Sequence, residues 1–299
     1  MQLFMKTVSL HLIYHSLMHI FNTQLELVSY LKLASNSKTT IGFVPTMGAL
    51  HFGHLSLLQE AFDNNSIVVI SIFVNPTQFN NPSDLEKYPR TLEADIEKIK
   101  TISDTVIVFA PTVNDIYEGN PISQHFDFDG LENQMEGKFR VGHFDGVATI
   151  VKRLFEIVKP TNAYFGEKDF QQLQIIKKLV EKLKLSVKIM AHPIYRESNG
   201  LAMSSRNERL TPAEREKAKI IYQTLNQAKI IFKTQSANKV THWVKNTFKM
   251  HPEFELEYFQ IADEATLLPC IHKNKNKKYR AFIAVFVNKI RLIDTISLK

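Results

Sequence analysis

The 299-residue sequence has a single cysteine, Cys270. One thiol excludes an intrachain disulfide framework and a cysteine-based zinc cluster, and it fits a reducing, cytoplasmic setting. No apolar run reaches the roughly 20 residues of a membrane span. The apolar-rich stretch 8–21 follows Lys6 and faintly resembles a signal peptide, but His11, His15 and His19 interrupt it and no small-residue cleavage site follows. Those histidines fall four apart on one helical face, as metal ligands could; the simpler reading makes residues 1–17 an upstream extension and Met18 the functional start. With 44% hydrophobic and 22% charged residues, nothing points to disorder of the chain as a whole. The formal net charge of +7 suits an anionic partner, nucleic acid or polyphosphate, without choosing between them.

At this length one large or two unequal domains are expected. A helix is read at 24–33, a buried strand at 41–44, and a helix after residue 54, where Leu55, Leu58 and Phe62 recur at helical spacing. Residues 67–74 form an apolar, β-branched run broken only by Ser71, as in a parallel strand covered on both faces. Further helices are expected at 92–102, 147–158 and 169–185, and strands at 105–109, 163–165 and 187–191. Strands alternating with helices imply an α/β fold with a doubly wound parallel sheet, whose ligands sit beyond the strands' carboxyl ends. We place this unit at 18–195. Beyond it, Thr211, Pro212 and Glu214 open a capped helix. A helix near 239–249 and strands near 256–262, 280–287 and 290–293 describe a smaller α+β lid domain, 196–299. The lysine-rich run 273–278 reads as a solvated hairpin loop, since no aromatic interleaving supports base stacking.

Three segments carry chemistry, each at a strand end or in the loop that follows. In Pro45-Thr46-Met47-Gly48-Ala49-Leu50-His51-Phe52-Gly53-His54, two histidines close a glycine-containing turn between strand and helix. A helix N-terminus favours anions through unpaired N–H groups and the helix dipole, and imidazoles add donors. In Gly166-Glu167-Lys168-Asp169-Phe170-Gln171-Gln172, Asp169 and Gln172 could be a capping box alone, which leaves Lys168 free for phosphate oxygens and Asp169 open to a ribose hydroxyl instead. In Leu201-Ala202-Met203-Ser204-Ser205-Arg206-Asn207, two hydroxyls and a guanidinium in a mobile-looking loop suit closure over phosphates.

The H-x-G-H turn is similar to the HIGH-type signature of nucleotidyltransferases. The ordered motifs PTMGALHFGH, FVNPTQF, YPRTLEADI, EGKFRVGHFDGV, FGEKDFQQL and GLAMSSRN resemble the pantothenate synthetases (pantoate-β-alanine ligases), from about Met18 to the C-terminus. The resemblance implies a Rossmann-like nucleotidyltransferase fold and a two-step ligase reaction: pantoate and ATP give pantoyl adenylate and pyrophosphate, then β-alanine displaces AMP. It implies ATP contacts from Met47, Gly48, Ala49, Leu50, His51, Phe52, Gly53 and His54. Further contacts are implied from Gly166, Glu167, Lys168 and Asp169, from the backbone at Tyr195, and from Met203, Ser204, Ser205 and Arg206. His54, as proton donor, His51, Lys168 and Arg206 are the expected catalytic group. Gln78 and Gln172 are expected to hold pantoate, Gln78 also lying near β-alanine; Arg140 and His143 fall in the pantoate or dimer region. Mg²⁺ is implied as the counter-ion of ATP, with Asp95 a candidate contact, and a homodimer is implied. No nucleic-acid or membrane partner is expected. Val141, Asn199 and Tyr195 depart from the family pattern. An adenylyltransferase with a phosphorylated acceptor would share the phosphate motifs, and a nucleotide-sensing or RNA-binding module could share the fold and charge.

Overall fold

The computed structural model describes residues 18–80 and 82–299, so His11, His15 and the 1–17 segment lie outside the described residues. The chain runs β1 (Ile20–Phe21), α1 (Gln24–Ala34), β2 (Ile41–Thr46), α2 (Phe52–Asn64), β3 (Ile67–Ile72), α3 (Pro82–Glu86), α4 (Leu92–Lys100), β4 (Ile107–Phe109), α5 (Val113–Tyr117), α6 (Met135–Phe139), α7 (His143–Val158), β5 (Asn162–Gly166), α8 (Phe170–Lys182) and β6 (Lys188–His192). Then follow α9 (Pro212–Lys217), α10 (Lys219–Thr234), α11 (Ala237–Lys249), β7 (Phe254–Asp263), β8 (Tyr279–Val287) and β9 (Ile290–Ser297).

The six N-terminal strands form one parallel sheet in the order β1-β4-β3-β2-β5-β6. Chain order reverses at β2, which pairs with β3 on one side and with β5 on the other. That switch point is where a doubly wound sheet opens a crevice for ligands. The strands are apolar because helices cover both faces: Phe43, Val69 and Phe109 face one core, Val44, Ile70 and Val108 the other.

Two departures from the sequence pattern have local causes. Helix α7 starts four residues before the apolar run at Val147, because His143 and Gly146 are packed although neither is apolar. A Cβ on Gly146 would lie 2.2 Å from the Thr77 carbonyl oxygen, so only glycine lets α7 approach the turn after β3. Helix α8 starts at Phe170, after a 3₁₀ turn over Glu167–Asp169. Asp169 makes no capping hydrogen bond there, which removes the capping-box account of it.

The C-terminal strands form an antiparallel sheet, β7-β8-β9. One face meets α10 and α11 through Leu225, Val240 and Phe248. From the other, Ala262 and Phe282 join the N-terminal core, the Phe282 ring lying 6.0 Å from that of Phe170. The Thr211/Glu214 capping box forms as expected. In the lysine-rich loop, Lys273 is not fully solvated: its ammonium lies over the Phe232 ring and donates to the Phe232 carbonyl.

Candidate active site

A cleft of about 260 Å³ opens over the carboxyl ends of β2, β3, β5 and β6. Its shape begins with the turn after β2, where Gly48 and Ala49 both have positive φ, +79° and +50°. One face of α4 holds this turn. The Asp95 carboxylate accepts from the backbone N–H groups of Ala49 (2.8 Å) and Leu50 (2.7 Å), and Lys98 Nζ donates to the Leu50 carbonyl (2.6 Å).

The two histidines then cap α2 reciprocally. His51 Nδ1 accepts from Gly53 N–H (3.1 Å) and His54 Nδ1 accepts from His51 N–H (3.3 Å), with the rings stacked 3.9 Å apart. A ring nitrogen that accepts a hydrogen bond carries no proton, so both rings are Nε2–H tautomers. Burial, then the charges of His54 and Lys168, lowers the His51 pKa to about 2. Burial and Lys168 lower that of His54 to about 4. At neutral pH both are therefore uncharged donors beside a lysine.

Lys168 follows β5 and pairs with Asp169 at 3.1 Å; both line the cleft, with Gly166. Met203, Ser204, Ser205 and Arg206 also line the cleft. The loop carrying these residues is anchored: Asn207 is buried and donates to Glu197 (2.6 Å) and to the Ala202 carbonyl (3.1 Å). Arg206 donates to Asp84 on α3 at 3.0 Å.

The third wall follows β3. Gln78 donates to the Met47 sulfur (3.0 Å) and accepts from Asn75 (3.1 Å), whose own side chain is buried between Gly146 and Tyr117. Arginine has only donors, so Arg140 gives a hydrogen bond to His143 Nε2 (3.1 Å), which leaves His143 Nδ1–H to donate to the Gln78 carbonyl (2.9 Å). Burial and Arg140 lower the His143 pKa to about 4. Gln172 lines the same end and has no hydrogen-bond partner among the described residues. The cleft thus joins a cationic, donor-rich centre to an amide-lined end.

The sequence profile described as Pantoate-beta-alanine ligase matches residues 19–297. The chain is 66% identical to the pantothenate synthetase of Flavobacterium psychrophilum over 282 residues, covering 94% of this chain and all of that protein. The chain belongs to the pantoate-β-alanine ligase family. Among solved family members, the Thermus thermophilus pantothenate synthetase superposes with a TM-score of 0.85 at 37% identity, covering 94% of this chain and 99% of that one. The Francisella tularensis pantoate-β-alanine ligase, complexed with β-γ ATP and β-alanine, superposes with a TM-score of 0.76 at 37% identity, covering 94% and 98%.

Not every residue expected at this pantoate-β-alanine ligase site lines the cleft. Met47, His51, Gly53, His54, Gly166, Lys168, Asp169, Tyr195, Met203, Ser204, Ser205, Arg206, Gln78 and Gln172 do. Gly48, Ala49 and Leu50 shape the turn instead, and the N–H groups of Ala49 and Leu50 are spent on Asp95 rather than left for phosphate. Phe52 is 64% exposed, its ring 6.4 Å from that of Tyr195. Glu167 turns to Arg280 at 3.0 Å. Asp95, expected as a magnesium contact, is fully buried with both oxygens bonded, so the structure makes it a brace of the turn. Of the N-terminal histidines, His19 packs its ring on Tyr30, and among the described residues no group of three His, Cys, Asp or Glu could hold a metal.

The departures from the family pattern are absorbed locally. Asn199 Oδ1 accepts from Leu201 N–H, as a carboxylate would, and Val141 is exposed and offers its carbonyl to Asn80. Asn75, Tyr88 and His192 line the cleft without having been singled out from sequence. Asn75 and Tyr88 had a legible signal, since they fall in the FVNPTQF and YPRTLEADI motifs; His192 had none.

Proposed function

We propose that the chain condenses pantoate with β-alanine to pantothenate, with ATP cleaved to AMP and pyrophosphate through a pantoyl-adenylate intermediate. The observation that carries this reading is one cleft lined by two neutral Nε2–H imidazoles, Lys168, Gln78, Gln172 and Ser204–Arg206 together. In the first step a pantoate carboxylate oxygen attacks the α-phosphorus and pyrophosphate leaves. The enzyme must then stabilise charge spreading over phosphoryl oxygens, which fixed donors and cations do without an enzyme nucleophile. His51, His54, Lys168, Ser204, Ser205 and Arg206 serve that purpose. His54, whose Nδ1 accepts from the His51 N–H, offers its Nε2–H as the hydrogen-bond donor.

Gln78 and Gln172 hold pantoate, since amides both donate and accept where a carboxylate would repel the acid. In the second step the β-alanine amine attacks the acyl carbon and AMP leaves. His51, His54 and His143 all have their acceptor nitrogen occupied, so none serves as the base; the step relies on placing a free amine against an activated acyl group. Mg²⁺ carried in with ATP would be held by Asp169, the acidic side chain lining the cleft, and would supply neutralisation of phosphate charge.

We read 18–195 as the ATP- and pantoate-binding unit and 196–299 as a lid docked on it, in a cytoplasmic homodimer. Among the described residues no helix is long and apolar enough to cross a membrane. Pyrophosphate exchange tests the assignment. Labelled pyrophosphate should enter ATP only when pantoate is present, without β-alanine. His54→Ala and Lys168→Ala should each lower that exchange by about 10²- to 10³-fold in folded protein. Exchange indifferent to pantoate would refute the reading.

A further inference from the structure

Lys168 is held from the smaller sheet. Arg280, on the central strand β8, is almost wholly buried and donates to Glu167 at 3.0 Å and to Glu264 at 3.1 Å, while its guanidinium carbon lies 3.9 Å over the Phe170 ring. Glu167 is the residue before Lys168 and Phe170 the second after it. One planar cation therefore grips the β5–α8 segment on both sides of the lysine, from 113 positions away.

The neighbouring strand holds the base of the loop that brings Met203–Arg206 to the cleft. Asp294 on β9 is buried and accepts from both terminal guanidinium nitrogens of Arg196, at 2.6 and 2.9 Å, while Arg196 itself stacks 3.7 Å over Tyr222. Arg196 and Ala202 form the backbone bridge from which the chain continues to Met203–Arg206. Thus adjacent strands of a single sheet fix both phosphate-facing segments, although neither Arg280 nor Asp294 lines the main cleft.

We infer that Arg280 is a positioning residue: through Glu167 and Phe170 it sets where the Lys168 ammonium stands against the ATP phosphates. A lysine on a four-carbon stem has much rotamer freedom, and effective charge stabilisation requires the cation to be already in place. Anchoring the Glu167 and Phe170 side chains fixes the point from which the Lys168 stem starts, without using a group that touches the nucleotide. The inference rests on ATP binding at this cleft.

The test is a double-mutant cycle on ATP affinity, measured by titration calorimetry on the full chain. Glu167→Ala leaves Arg280 paired with Glu264 and stacked on Phe170, so no buried charge is stranded and the fold is retained. It should weaken ATP binding about tenfold when Lys168 is present and have no further effect in a Lys168→Ala background, the non-additivity expected of coupled neighbours. Arg280→Lys, which keeps the charge but loses the planar fork, should weaken ATP binding in the same Lys168-dependent way. Equal losses in both backgrounds, or unchanged affinity in either single variant, would overturn the inference. Wild-type protein that binds ATP but shows no pantoate-dependent exchange would instead overturn the functional reading and leave this one standing.

Discussion

Replacing Asp95 separates a brace from a metal ligand. In Asp95→Ala the N–H groups of Ala49 and Leu50 lose their acceptor, inside a turn that already has two residues at positive φ. Each buried donor left unsatisfied costs about 1–3 kcal/mol, so a total near 4 kcal/mol is expected. A chain of this size gives up roughly 2–4 °C of melting temperature per kcal/mol, which puts the drop at about 10 °C, and a typical stability of about 5–15 kcal/mol leaves the protein folded. Because Leu50 leads directly into His51, the imidazoles lose their fixed starting point. A misplacement of about 1 Å is worth about 10²-fold in rate. Calorimetry and pyrophosphate exchange read the two effects, and a magnesium titration of the exchange reads the third. A brace predicts a lower melting temperature, a slower maximal rate and the same half-saturating magnesium concentration. A wild-type melting temperature with a shifted magnesium dependence would refute the reasoning and restore Asp95 as a ligand.

Acid should destabilise the protein through its neutral histidines. The unfolded chain binds a proton at each near pH 6.5, whereas folded His143 does so only near 4, so stability falls as pH drops from 6.5 to 4 and levels below; the shift is worth on the order of 3 kcal/mol. Denaturant midpoints of wild type and His143→Gln should converge over that range, and parallel curves would count against it. Long-range ¹⁵N spectra of histidine-labelled protein at pH 7 should show His51 and His54 as neutral Nε2–H tautomers; a charged ring at that pH would contradict their geometry. Asp84→Asn removes the carboxylate that competes with phosphate for Arg206, so ATP should bind a few-fold more tightly, within the roughly 0.2–1 kcal/mol of an exposed pair. Weaker binding in calorimetry would mean that Asp84 orients the arginine instead. Gly146→Ala should cost about 3 kcal/mol or more, because the added methyl meets the backbone of Thr77 and Gln78, and it should raise the KM for pantoate along with lowering the melting temperature.

The parallel sheet was legible because apolar strands and amphipathic helices alternate with the right lengths, and the phosphate segments because they fall at strand ends or in the loop beyond. What the pattern could not convey is where a side chain's second partner lies. Asp95 in an exposed-looking acidic helix gives no hint that it faces a turn 45 positions earlier. Glu167, next to the cleft-lining Lys168, reads as part of the same site, whereas its carboxylate pairs with Arg280. The reciprocal histidine cap is local in sequence, but imidazole is not among the usual capping groups, so the N–H groups were expected to be free for an anion. Helix α10 went unmarked after its capped predecessor α9, since Ala218 joins the two without a break in composition.

The central seam of the sheet also bears on how the chain folds. Strands β2 and β5 pair at Gly42 and Asn162, 120 positions apart, while β7, β8 and β9 are successive antiparallel neighbours. Local pairings close early, and distant parallel ones wait on the entropy of a long loop. The histidine turn and the lysine segment sit on the two sides of that late seam. A chain in which β2 and β5 have not yet paired therefore keeps the histidine turn and the lysine segment apart, although both motifs are present.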